Sequence, residues 1–194
     1  MVRNTWEKKS DKGPSISSSR ITYYDKSLYT WGEIGINGES IQRLYKYDID
    51  SDEWSIVDIS STYFKRISSP GFCEYKDNLL IINGFDISTA SYLNSSISLN
   101  LKSEHKKWEI LEVGYLDSQS SFGYICNGSK IYIFGGLSFS GHKNQLVELN
   151  LESPAEITVL SESIRIPTPR YGHGMIVYDE KLLIFGGVDK YENE

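Results

Sequence analysis

The stretch Lys130-Ile131-Tyr132-Ile133-Phe134-Gly135-Gly136 returns as Lys181-Leu182-Leu183-Ile184-Phe185-Gly186-Gly187. Two looser copies precede them, Ser27-Leu28-Tyr29-Thr30-Trp31-Gly32-Glu33 and Asn78-Leu79-Leu80-Ile81-Ile82-Asn83-Gly84. Aligned on the glycine pair, the copies are spaced by 51, 52 and 51 residues. A regular period in this range marks a repeat architecture, in which one supersecondary unit recurs and buries its faces against its neighbours.

The flanks repeat with the anchor. An extended stretch precedes each copy: Ile21–Tyr24, Phe72–Tyr75, Tyr124–Cys126 and Met175–Tyr178. A short polar turn such as Asp25-Lys26 or Asp179-Glu180 joins the two, which predicts a β-hairpin. A third strand follows a longer polar connection, at Leu44–Asp48, Ser96–Asn100 and Leu146–Asn150, and ends in a turn-favouring Asp or Asn. A fourth begins at Trp54, Trp108 and Ile157. The second strand of the unit is continuously apolar at Leu79–Ile82 and Ile131–Phe134, so it is covered on both faces. A four-stranded antiparallel unit with covered inner strands needs neighbours stacked on either side, and radial repetition of such a unit is a β-propeller.

The pattern resembles the kelch family of propellers. The resemblance is carried by Gly135-Gly136 and Gly186-Gly187, by Tyr47-Asp48 with Trp54 and Leu99-Asn100 with Trp108, and by Pro169-Arg170-Tyr171-Gly172-His173. It covers about residues 17–189. Copies one and two each lose one glycine, leaving Gly32-Glu33 and Asn83-Gly84. The expected fold is all-β: three four-stranded blades and half of a fourth, at about 17–59, 68–113, 119–161 and 168–189. The segment 4–10, with Trp6, reads as a fourth strand of a preceding or closing blade. The preferred expectation is a piece of a larger propeller, with open edges and apolar faces that favour self-association. The glycines are expected where a strand must bend sharply, and the Trp residues in the wedge between blades.

Composition narrows the partners. The chain has 194 residues, 13% of them aromatic with 14 Tyr, and a net charge of -6. That balance argues against nucleic acid and anionic membrane surfaces as partners. Apolar runs are strand-sized, far short of a membrane span. The N-terminal residues are polar with no signal-peptide core, which for a native start predicts a cytoplasmic protein. Cys73 and Cys126 fall at non-equivalent positions on first strands of different units and read as small buried apolar residues rather than a disulfide.

No catalytic constellation, cofactor motif or metal site is read from the sequence. His105, His142 and His173 stand at different places in the repeat, without a second His or Cys at ligand spacing. His173 reads as a motif histidine held by hydrogen bonds at the start of a blade, and His142 as a solvated loop residue. The resemblance implies a protein-binding module, an adaptor or scaffold, with a propeller enzyme of sugar-isomerase, lyase or oxidase type as the alternative. Binding falls to loops. The connections 34–43, 85–95 and 137–145 and those entering each blade, 58–69, 112–121 and 161–172, emerge on one face. That face carries the candidate partner-binding residues Tyr63, Phe64, Arg66, Tyr92, Phe139, His142, Arg165 and Arg170, with Tyr115 beside them. Aromatics and arginines dominate protein interfaces, and the local basicity suits an acidic peptide segment. Arg20 is read as structural, pairing with backbone carbonyls.

Overall fold

The computed structural model describes residues 7–36, 39–60, 66–114, 116–152, 156–160 and 166–191. It is built of antiparallel sheets that follow one another along the chain, with no helix among the described residues. The first sheet is β1 (Ser17–Tyr24), β2 (Ser27–Ile36), β3 (Glu39–Asp48) and β4 (Glu53–Ile56), paired in that order. The second is β6 (Gly71–Tyr75), β7 (Asn78–Asp86), β8 (Ser91–Asn100) and β9 (Trp108–Leu111), with β5 (Ile67–Ser68) added beside the far end of β7. The third is β10 (Gly123–Asn127), β11 (Lys130–Phe134), β14 (Leu146–Asn150) and β15 (Glu156–Val159); the hairpin β12 (Leu137–Ser138) and β13 (Gly141–His142) rises from its middle. Half a unit remains: β17 (Gly174–Tyr178) pairs with β18 (Lys181–Phe185), and β16 (Arg170–Tyr171) with β19 (Val188–Asp189).

Three of the first-to-second-strand hairpins turn through two consecutive residues at positive φ, Asp25-Lys26, Lys76-Asp77 and Asp179-Glu180. This turn matches the right-handed twist of the strands it joins. The first strands then meet in sequence, β1 beside β6, β6 beside β10 and β10 beside β17, so the sheets fan from these edges.

The core lies between the sheets. Trp31 and Leu44 of the first face Phe72, Leu79, Ile81, Ile97, Leu99 and Trp108 of the second. Leu80 and Ile82, on the opposite face of β7, meet Phe122, Ile131, Ile133, Val147 and Leu149. Successive residues of one strand thus feed two different cores, which is why the run reads as unbroken apolar sequence. Trp108 lies edge-on to Trp31, with ring centroids 5.5 Å apart, filling the wedge toward the preceding blade. Ile157 occupies the same place between the second and third sheets, beside a cavity of about 140 Å3.

Trp54 faces away from the second sheet. It packs on Tyr47 at 5.1 Å, and the chain near Gly13 crosses it. The Ser10 amide donates to the Asp52 carboxylate at 2.8 Å. The strand expected at 4–10 is therefore not formed over its described part: residues 7–10 run as irregular chain against the first sheet, tied by side chains instead of a ladder. Trp6 lies outside the described residues.

The glycine pair turns the chain under the loop that enters each blade. Gly135 and Gly136 have φ of 66° and 102°, and Gly186 and Gly187 of 69° and 81°. A Cβ on Gly136 would sit 2.8 Å from the Ser120 carbonyl oxygen, and one on Gly187 would sit 2.6 Å from that of Tyr171. In the second copy Asn83 adopts φ 50° and Gly84 114°, Asn being the non-glycine residue that tolerates this region best. In the first copy Gly32-Glu33 makes no such bend, and β2 runs straight on, paired with β3 as far as Ile36 and Glu39. The connections expected at 34–43 and 85–95 are consequently strand for most of their length, because an unbroken or weakly bent ladder continues past the anchor.

Candidate protein interface

The loop face is built from three repeats of one device. Beyond each glycine the second strand's continuation pairs with a short piece of the entering loop: Ile67 and Ser68 with Asp86 and Phe85, Ser120 with Leu137, and Arg170 and Tyr171 with Asp189 and Val188. Backbone bonds then join neighbouring blades, from the Gly84 amide to the Gln119 carbonyl at 2.9 Å and from the Gly136 amide to the Arg170 carbonyl at 2.8 Å. The Ile67 amide donates to the Gln42 side-chain oxygen at 2.8 Å, and the Gln42 amide returns the bond to Ile67. A face held by its own backbone presents side chains already ordered, which lowers the entropic cost of binding.

On this frame sits a row of aromatic rings. Phe85 and Tyr92 stand opposite each other across the β7–β8 ladder, centroids 5.1 Å apart. Tyr92 meets Phe139 of the next blade at 5.0 Å and 87°. Phe139 is the tip of the β12–β13 hairpin and is 75% exposed. The tip is held by Ser138, whose hydroxyl donates to the Gly141 carbonyl at 3.2 Å and lies 2.8 Å from that of Ser140. Beside the row, Lys143 pairs with Asp117 at 2.7 Å. His142 is half-buried against the Tyr171 ring, 5.2 Å away, rather than solvated. Arg170 turns its guanidinium onto the Gly186 carbonyl at 2.9 Å and the Thr168 hydroxyl at 2.8 Å, leaving its charge on the rim without a carboxylate among these partners. The Arg66 carbonyl accepts the Ile87 amide at 2.8 Å, placing it on the same face.

Of the expected residues, then, Tyr92 and Phe139 are in direct contact, and Arg66, His142 and Arg170 share their face. Tyr63, Phe64, Arg165 and Tyr115 lie outside the described residues. Phe85 and Tyr171 were not among the expected set. Phe85 could have been found by extending the β7–β8 pairing past Gly84, which puts it opposite Tyr92.

The first strands enclose a cleft of about 500 Å3, lined in part by Arg20, Cys73, Tyr124, Cys126 and His173. Arg20 donates to the Pro70 carbonyl at 3.2 Å and Tyr124 to the Phe72 carbonyl at 3.0 Å, bonds that tie one blade to the next. His173 is buried, packed at 5.5 Å on Phe134 and beneath Gly123 and Gly187. Neither of its nitrogens finds a hydrogen-bond partner of full geometry among the described residues. Its ring packs beneath these glycines, with the Phe134 backbone as a hydrogen-bonding neighbour. Burial, and then the charge of Arg170, hold its pKa below the usual histidine value. Among the described residues no group of three or more His, Cys, Asp or Glu is placed to hold a metal ion.

No protein-family model matches the chain. It is 38% identical over 76 residues to Tip elongation aberrant protein 1 of Schizosaccharomyces pombe, covering 39% of this chain and 6% of that protein. It is 26% identical over 152 residues to human Leucine-zipper-like transcriptional regulator 1, covering 74% of this chain and 18% of that protein. Kelch-like protein 15 of Danio rerio aligns along nearly the whole chain, 96% of it and 32% of that protein, at 23% identity. These similarities support the resemblance to kelch-repeat proteins read from the sequence. The solved structure of YjhT shares this chain's fold, with a TM-score of 0.74 at 13% identity, covering 94% of this chain and 62% of that one. The chain spans between 6% and 32% of the length of the curated relatives named.

Proposed function

We propose that this kelch-repeat chain is a protein-interaction module of adaptor or scaffold type, docking a partner through the loop face of its second to fourth blades. The observation that carries this reading is the continuous row Phe85–Tyr92–Phe139, which crosses from one blade to the next and ends in a ring that is 75% exposed. An aromatic anchor on an ordered frame is the kind of group that concentrates binding energy. The guanidinium of Arg170 at the rim favours a partner segment that joins an apolar or aromatic anchor to acidic residues. A second, weaker tendency is self-association through the last half-blade, where Ile176, Leu183 and Phe185 turn outward.

The test compares partner recovery by the wild-type chain and by a Tyr92→Ala/Phe139→Ser double variant, with urea unfolding as the control. The proposal expects a defined partner to be retained by the first and lost, at least about tenfold, by the second at unchanged stability. Equal recovery with intact folding would remove the loop face as the docking surface. A set of synthetic peptides with acidic and with basic flanks then tests the charge preference.

A further inference from the structure

Cys73 and Cys126 are offset by one position relative to their repeat anchors. In strands of period two that offset sends them to opposite faces. Cys73 pairs with Leu80 on the face of the second blade that looks toward the third, and Cys126 pairs with Ile131 on the face of the third that looks back. Both belong to the apolar layer between these blades, and both line the same two clefts along the first strands. Their thiols are free and near enough for Cys126 to perturb the ionisation of Cys73. The two differ in access: Cys73 is 4% exposed, whereas Cys126 is half-buried.

We propose that Cys73 and Cys126 form a redox-sensitive thiol pair that closes, on exposure to hydrogen peroxide, into a disulfide joining the second and third blades. The more accessible Cys126 reacts first. Its thiolate displaces hydroxide from the peroxide, giving a sulfenic acid. The Cys73 sulfur then attacks the Cys126 sulfur; the S–O bond breaks and water leaves with the Cys73 proton. Two thiols are oxidised by two electrons, and one peroxide is reduced to two waters. The contact with Cys126 and burial hold the Cys73 thiol well above its ordinary pKa. Cys73 is accordingly a poor first nucleophile and is suited to the resolving role, in which the sulfenic acid is already within reach.

The link would span two blades and close a long loop, the case in which a cross-link restricts the unfolded chain most. The experiment treats the full chain with hydrogen peroxide, counts free thiols after denaturation, maps the cysteine peptides by mass and follows thermal unfolding. The expected result is loss of both thiols in a monomeric species, a Cys73–Cys126 linked peptide, reversal by dithiothreitol and a Tm raised by about 5–10 °C. A Cys73→Ala variant should stop at a trappable sulfenic acid on Cys126. Persistence of both thiols, conversion of Cys126 to a sulfinic acid beside an intact Cys73 thiol, or links formed only between molecules would each overturn the proposal.

Discussion

Trp108 and Trp54 open the fourth strand of their blades in the same sequence context, yet they should differ in what they contribute. Trp108 is 7% exposed and enclosed between two sheets, edge-on to Trp31. An aromatic of this size hides about 150–250 Å2, which at ~25 cal/mol per Å2 is about 4–6 kcal/mol, an upper bound because the unfolded chain is itself compact. Core truncations of this kind cost about 3–5 kcal/mol, and that is the expected loss for Trp108→Ala. Trp54 is half-buried, covered only by Tyr47 and the irregular segment near Gly13. With less of its area hidden than that of Trp108, and with solvent able to enter the gap so that no sealed cavity is left, Trp54→Ala should cost less, about 1–2 kcal/mol. In urea, at a slope of about 2 kcal/mol per molar, the midpoint should fall by about 1.5–2.5 M for Trp108→Ala and by less than about 1 M for Trp54→Ala. Circular dichroism follows both transitions without relying on the tryptophan removed. Equal shifts, or a larger one for Trp54, would refute the view that the neighbouring blade, and not the strand's own sheet, creates the value of this residue.

Other perturbations test different parts of the structure. Gly136→Ala forces a Cβ to within 2.8 Å of the Ser120 carbonyl oxygen at a φ of 102°. It should cost at least about 2–3 kcal/mol, read as a lowered urea midpoint, since strain and clash add. Ile157→Trp points into the cavity of about 140 Å3 beside it, and calorimetry should show a gain of about 0.5–2 kcal/mol. Tyr24, Tyr47 and Tyr124 have pKa values pushed up to about 12, the first two by hydrogen bonds to Asp77 and Asp52 and the third by burial. Folding therefore favours their protonated forms: their contribution is complete below about pH 10 and is lost as pH rises toward about 12. Tyrosinate absorbance should show the folded chain titrating later than its urea-unfolded form. Phe185→Ser, on the outward face of the last half-blade, should reduce any concentration-dependent sedimentation without lowering the unfolding midpoint.

The period, the hairpins and the two-sided burial of the second strand could be read from the chain, since each is a local consequence of spacing and strand alternation. What escaped depended on which neighbour a face meets. Trp54 and Trp108 share one sequence signature but not one environment. The offset of Cys73 and Cys126 looked like non-equivalence and is instead what turns them toward each other. The straight run of β2 past Gly32 reflects a missing bend, and absence of a glycine at one position says little until the ladder beyond it is traced. In the candidate interface Tyr92 and Phe139 were legible as aromatics of the loop face, although Tyr92 stands half-buried on β8 and not on a loop. Their contact was not, because it links residues of different blades through a hairpin only two residues deep on each side.

The central claim is that neighbouring blades, stacked side by side, bury strands whose own sequences are nearly alike. Hydrogen exchange of β11 and β18 tests it directly. Lys130–Phe134 lies between two blades and pairs with a strand on each edge, whereas Lys181–Phe185 has a single edge partner among the described residues and Phe185 is 88% exposed. Amides of Ile131 and Ile133 should exchange at least about a hundredfold more slowly than those of Leu182 and Ile184. Equal protection of the two strands would contradict the arrangement.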